Sequence, residues 1–325
     1  MISREIRSRV TVACVLGLLL SSRPAWGQYS PSSGPYRVVT VEHIVLHDAA
    51  RHTNIPLKIY YPDAAGRFPI IVFSHGALAS KDAYSGLGKY WASFGFVSIH
   101  PSHADSVADS GFRGTLRQAI SDPHAWENRP RDVSFILDSL ARVASFAPQL
   151  AGRLDLGHIG VAGHSFGAYT AALIGGTTVQ LPGSHGPQSF ADRRVAAVVL
   201  LSPQGEGCLG LTAASWDDLR LPMLLMYGSR DFGPFGQPPA WRNEPFVRAP
   251  PGDKYDVELE GATHMQFAGS LAAAGAPPDR LFQCVKLETL VFWNAYLKQD
   301  PDARSHLVSK GPQGCSGDVG RFAAK

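Results

Sequence analysis

The sequence predicts an α/β domain, with a mostly parallel central sheet and helices on both faces. Three observations carry that expectation. From Tyr36 onward, short runs rich in Val, Ile and Leu alternate with stretches of helical periodicity, as strands joined by crossover helices do. Several of those runs ("PIIVF", "VAAVVLL", "MLLMY") are apolar at every position, not every second one, which suits strands buried on two faces. A further run, "IGVAG", breaks into His-Ser-Phe-Gly just before an apolar helical pattern, a strand–turn–helix junction centred on a serine.

Taken in order, "YRVVTVEHIVLHD" and "IPLKIYYP" read as an opening antiparallel edge pair, and "FPIIVFSHG" as a central strand entering a glycine turn. "AYSGLGKYWASFG" is a helix ended by Gly95, and "FVSIHPSH" the next strand. A polar stretch, Ala104 to Pro130, reads as a loop. "RDVSFILDSLARVA" then places Val133, Ile136, Leu137 and Leu140 on one helical face. After the serine junction, Gly175 to Arg193 is a second polar loop. "VAAVVLLSP", "LPMLLMYGSRD" and "KYDVELEGATH" are the remaining strands, and "LFQCVKLETLVFWNAYL" closes the domain as an amphipathic helix. The Pro/Gly-rich segment from Phe232 to Gly252 is long for a connection, and such loops are often functional.

The 325-residue chain is 45% apolar and 18% charged, ordinary values for a globular domain. Its net charge of +3 and lack of basic runs give no footprint for nucleic acid. The first 27 residues read as a signal peptide. Arg4, Arg7 and Arg9 precede an apolar core from Val10 to Leu20, and Ala25 and Gly27 supply the small residues a cut after Gly27 needs. The apolar core is too short to cross a membrane. The expectation is a single domain over residues 28–325, secreted or periplasmic, with no stable membrane insertion after cleavage. Cys208, Cys284 and Cys315 would then remain in an oxidising compartment. A Cys284–Cys315 bridge is expected, with Cys208–Cys284 as the alternative.

The chemistry centres on Gly163-His164-Ser165-Phe166-Gly167. A nucleophile held in a tight turn at a helix start needs glycine two residues to either side, where a Cβ would meet neighbouring backbone. Serine also needs a base, oriented by an acid, in the chain order serine, acid, histidine. His264, directly after the last strand, suits the base better than His185 in a polar loop or His306 beyond the final helix. Asp231, ending "MLLMYGSRD", is the expected acid, with Glu206 after "VVLLSPQG" as competitor. The backbone amides of Phe166 and Ala77 would form the oxyanion hole, with Leu78 as the alternative to Ala77. His75 reads as structural, and His164 as a packing neighbour. His100, His103 and Asp105 could serve as metal ligands, but a hydrogen-bonded loop is the simpler account of them. No cofactor and no metal are expected.

These residues resemble the α/β-hydrolases, in particular plasma-type platelet-activating-factor acetylhydrolases and bacterial dienelactone-hydrolase-like esterases. The resemblance rests on "PIIVFSHG", "GHSFGA" and "RPRDVSFILD", and extends from about Leu57 to Leu297. It implies the α/β-hydrolase fold, the triad and the serine-esterase class, and does not carry the substrate; a small-molecule or polymeric ester, cleaved through an acyl-enzyme, is the expected partner. Two departures matter. Dienelactone hydrolases carry cysteine where this chain has Ser165. The acetylhydrolases place their acid after the earlier strand, where this chain has Glu206. Lipase-like, phthalate-ester and polyester activities, amide cleavage and a non-catalytic binding role all remain compatible with the sequence.

Overall fold

The computed structural model describes residues 32–269, 279–309 and 319–325. The expected signal peptide and Cys315 lie outside them. The strands are β1 (Val38–Asp48), β2 (Thr53–Pro62), β3 (Phe68–Ser74), β4 (Val97–Pro101), β5 (Leu154–His164), a small pair β6 (Thr178–Val179) and β7 (Gln188–Ser189), β8 (Val195–Leu201), β9 (Met223–Gly228), β10 (Lys254–Leu259) and β11 (Val319–Ala324). The helices are α1 (Ser85–Ser93), α2 (Leu116–Ser121), α3 (Pro123–Asp138), α4 (Leu140–Phe146), α5 (Phe166–Gly175), α6 (Glu244–Arg248), α7 (Arg280–Leu297) and α8 (Pro301–Ser309).

The main sheet has the order β1-β2-β4-β3-β5-β8-β9-β10-β11. Its six central strands, from β4 to β10, pair in parallel. The pair β1–β2 and the strand β11 are antiparallel additions at the two edges. Side-chain alternation divides the core into two clusters. Ile70, Val72, Val198, Leu200 and Leu225 face α3, α4 and α5. Ile71, Phe73, Val199, Leu201 and Leu224 face α1, α7 and α8. This is the expected α/β-hydrolase fold, with helices on both faces of a mostly parallel sheet.

Four expectations are corrected. The segment from Ala104 to Pro130 is not a bare loop, because α2 and the first half of α3 lie within it. Thr115 and Gln118 form a reciprocal capping box, and Asp122 caps α3 ahead of Pro123. Their solvated outer faces explain why these helices read as polar loop. The segment from Phe232 to Gly252 likewise contains a 3-10 turn, Pro239–Asn243, and α6. Gly175 to Arg193 includes the β6–β7 pair. The long helix α7 does not close the domain, since α8 and β11 follow it, and His306 is buried on α8. β11 carries no strong strand pattern, and it is fastened to β10 by backbone pairing and by Arg321 bonding to Asp256 at 2.7 Å.

One buried acid on α7 gives a stability prediction. Burial pushes Glu288 up to about 8. A raised acid binds its proton more tightly in the folded chain than in the unfolded one. Its contribution is therefore present below the ordinary carboxylate range and is lost as pH rises through about 8. Glu288→Gln is expected to flatten the fall in stability across that window, by an amount on the order of a few kcal/mol. Urea midpoints at pH 5 and pH 8.5 check it: an unchanged difference between them would count against the assignment.

Candidate active site

The carboxyl ends of β3, β5, β8, β9 and β10 converge at one edge of the sheet, where open α/β sheets place their ligand crevices. β5 delivers Ser165 there. Its backbone angles are φ 55° and ψ −121°, a conformation that costs a non-glycine residue on the order of 1–3 kcal/mol. The surrounding backbone forces it. A Cβ at Gly163 would run into the Gly167 carbonyl, and one at Gly167 into the Ser74 carbonyl. The Ser165 amide donates to Leu201 O at 2.9 Å, tying the turn to β8. Helix α5 starts at the next residue, so its N-terminal dipole acts on the serine.

His264 opens a 3-10 turn after β10, capped by Thr263 and Gln266. Its Nδ1 lies 3.0 Å from Asp231 Oδ1, and Asp231 is fully buried. Ser202, at the end of β8, donates its hydroxyl to Asp231 Oδ2 and lies 2.7 Å from His264 Nδ1. Arg242 adds Nε at 3.1 Å from Asp231 Oδ1. Burial alone would raise the Asp231 carboxyl, but the His264 hydrogen bond and the Arg242 charge outweigh it and hold the group below its ordinary value. The acid is thereby kept ionised, and its acceptor oxygens favour a proton on Nδ1, leaving Nε2 as the basic nitrogen. Glu206, the competitor, is exposed and pairs with Arg248 at 2.6 Å. His185 is exposed and His306 is buried on α8, so neither joins this group.

The oxyanion candidates are separated as well. Leu78 is strained at φ 66°, and its amide donates to Asp105 Oδ2 at 3.1 Å. The Ala77 amide has no acceptor among the described residues and belongs to the same cavity wall as Ser165. Phe166 is buried at the start of α5. Ser165, His264 and Ala77 line one cavity of about 390 Å³, whose other walls include Leu116, Ile120, Leu209 and Phe232. Tyr84 also lines this cavity, while Trp126, Phe235 and Trp241 do not. Trp241 is buried and donates to Glu206 O, Trp126 donates to Ile120 O, and Phe235 is exposed beside Arg117.

Sequence reasoning underrated His164. Gly76 N donates to the Tyr84 hydroxyl (3.1 Å), which contacts His164 Nδ1 (2.9 Å), and His164 Nε2 reaches the His264 carbonyl (3.0 Å). This chain of bonds links the turn after β3 to the His264 loop through the residue before Ser165. Burial holds the His164 imidazole well below its ordinary range, so it stays neutral, with one donor and one acceptor nitrogen as the chain requires. No sequence signal marks the link, because its partners come from three separate segments.

Below the turn lies a second Ser-His-Asp row. Ser74 Oγ sits 2.8 Å from His103 Nε2, and His103 Nδ1 2.8 Å from Asp132 Oδ2. All three are buried, with Ser74 fully so, and the row braces the end of β3. It also accounts for the histidines weighed as metal ligands. His103 is taken by that row, Asp105 by Arg129, and His100 by Ser98 at 2.9 Å. Cys208 is a buried free thiol, pushed up to about 11 by burial, which removes the Cys208–Cys284 alternative. The expected Cys284–Cys315 bridge lies partly outside the described residues.

A family model described as Chlorophyllase matches residues 30–178. The chain is also similar to a putative phospholipase A2 of Schizosaccharomyces pombe, at 27% identity over 39% of this chain and 40% of that protein. A platelet-activating factor acetylhydrolase of Cavia porcellus matches at 28% over 36% of this chain and 34% of its own length. The chain thus spans less than half the length of these relatives. The segment matched by the family model holds Ala77, Ser165 and Phe166 but ends before Asp231 and His264.

Proposed function

We propose that this α/β-hydrolase is a secreted or periplasmic serine esterase. Ser165 attacks the ester carbonyl while His264 Nε2 takes its proton. The resulting oxyanion is held by the amides of Phe166 and Ala77. His264 then passes the proton to the leaving alcohol, and water repeats the sequence on the acyl-enzyme. Asp231 orients the imidazole and balances its charge. The observation that carries the reading is the His264–Asp231 hydrogen bond, made beside a cavity that also exposes Ser165. The likeness to enzymes named for phospholipid and acetyl-ester cleavage supports the same chemistry. No cofactor enters any step.

The cavity wall favours an apolar acyl group. A space of about 390 Å³, edged by Leu116, Ile120, Leu209 and Phe232, suits a short to medium chain over a charged acid. With p-nitrophenyl acetate, butyrate, hexanoate and palmitate, kcat/KM is expected to peak at butyrate or hexanoate. Hydrolysis of none of them would count against the esterase reading. Equal turnover of the matching anilides would mark an amidase instead.

A further inference from the structure

We infer that Arg129, paired with Asp105, is a positioning residue that sets the oxyanion hole. The inference rests on the esterase reading for its kinetic consequence, but its geometry stands independently. Both side chains are buried, at 1% and 4% exposure. They form a two-pronged ion pair, with Nε 3.0 Å from Asp105 Oδ1 and Nη2 2.8 Å from Oδ2. What they grip is the turn that follows β3. Arg129 Nη1 donates to His75 O at 2.7 Å, and Nη2 lies 3.4 Å from Gly76 O. On the other side of the turn, Asp105 Oδ2 accepts the Leu78 amide. Cation and anion thus hold residues 75, 76 and 78, and the one amide left between them is that of Ala77.

The same guanidinium lies 4.2 Å from the centre of the Phe166 ring, so it touches Phe166 and the carbonyl of the Gly76–Ala77 peptide, and the amides of Phe166 and of that peptide are the two that would meet the oxyanion. The Gly76 carbonyl accepts from His75 Nδ1 at 2.6 Å as well as facing Arg129. Two donors on the oxygen of the Gly76–Ala77 peptide polarise it and make its N–H a stronger donor. Arginine suits this place where lysine would not: the planar fork bonds a carboxylate and two carbonyls at once and lies against a ring. Buried ion pairs are a weak source of net stability, and apolar replacements of both partners are often tolerated. That makes the double replacement Arg129→Met/Asp105→Leu a usable test, since it leaves no unpaired buried charge.

The folded double variant is expected to lose about 10- to 100-fold in kcat on p-nitrophenyl butyrate, less than the removal of an oxyanion donor outright. KM should stay within about threefold. A trifluoromethyl ketone mimicking the tetrahedral adduct should weaken in parallel with kcat, while the matching ether, which has no carbonyl, keeps its affinity. Hydrogen exchange at the Leu78 amide should accelerate. Wild-type kcat, or a loss carried by KM alone, overturns the inference. Unchanged exchange at Leu78 overturns it too, even if no ester proves to be a substrate; that second result would sink the esterase reading instead.

Discussion

Ser165→Ala is expected to lower kcat/KM on p-nitrophenyl butyrate by about 10⁴- to 10⁶-fold, the scale of nucleophile deletions in hydrolases that form acyl-enzymes. The loss should come without a loss of fold. Ser165 is half-buried, its side chain faces the cavity, and its backbone bond to Leu201 survives the change. Alanine in a positive-φ turn is no worse sterically than serine, so the unfolding free energy should shift by no more than about 1 kcal/mol. A fluorophosphonate probe should label the wild-type chain and not the variant. Near-normal turnover in the variant would remove Ser165 from the mechanism, and with it the whole reading of the elbow.

The second large effect concerns the acid. Asp231→Asn is expected to cut kcat by about 10⁴-fold, because an amide at this position no longer favours a proton on Nδ1 and so spoils the basic Nε2. Glu206→Ala should leave kcat within about twofold, since its exposed carboxylate is engaged with Arg248. The two variants should also differ in stability. Asp231 and Arg242 are both buried and bonded at 3.1 Å, so the asparagine leaves a buried cation without its partner. That typically costs about 3–5 kcal/mol, so the kinetic comparison has to be made on folded protein at low temperature. If Glu206→Ala showed the larger loss in kcat, the base would be served by a different acid from the one bonded to it here.

The position of Ser202 bears on the same question. The acid position that the resemblance to the acetylhydrolases implies lies near the end of β8. Here the residue that reaches His264 from that strand is Ser202, whose hydroxyl bridges the base and Asp231. Glu206 stands close in sequence but points to solvent. Spacing ranks the two acids by strand order alone and carries no sign that a serine occupies the closer position.

Much of the fold was legible because its signals are local. The doubly buried strands announce themselves as unbroken apolar runs, and β3, β5, β8 and β9 fall where those runs lie. Among the elements that were missed, α2, the first turns of α3 and β11 are short or half-solvated and take their stability from caps and from neighbours distant in sequence. The sequence by itself determined the elbow. Steric exclusion at Gly163 and Gly167 is a property of adjacent residues, so the motif and its flanking strand and helix are enough to specify it. The same holds for the fold class. Only the tertiary structure decided which acid meets His264, that Leu78's amide is taken and Ala77's left, and that His164 and Arg129 brace the site. Those are contacts between segments tens of residues apart, and a hydrogen bond's partner is set by where the backbone carries it, which no local pattern encodes.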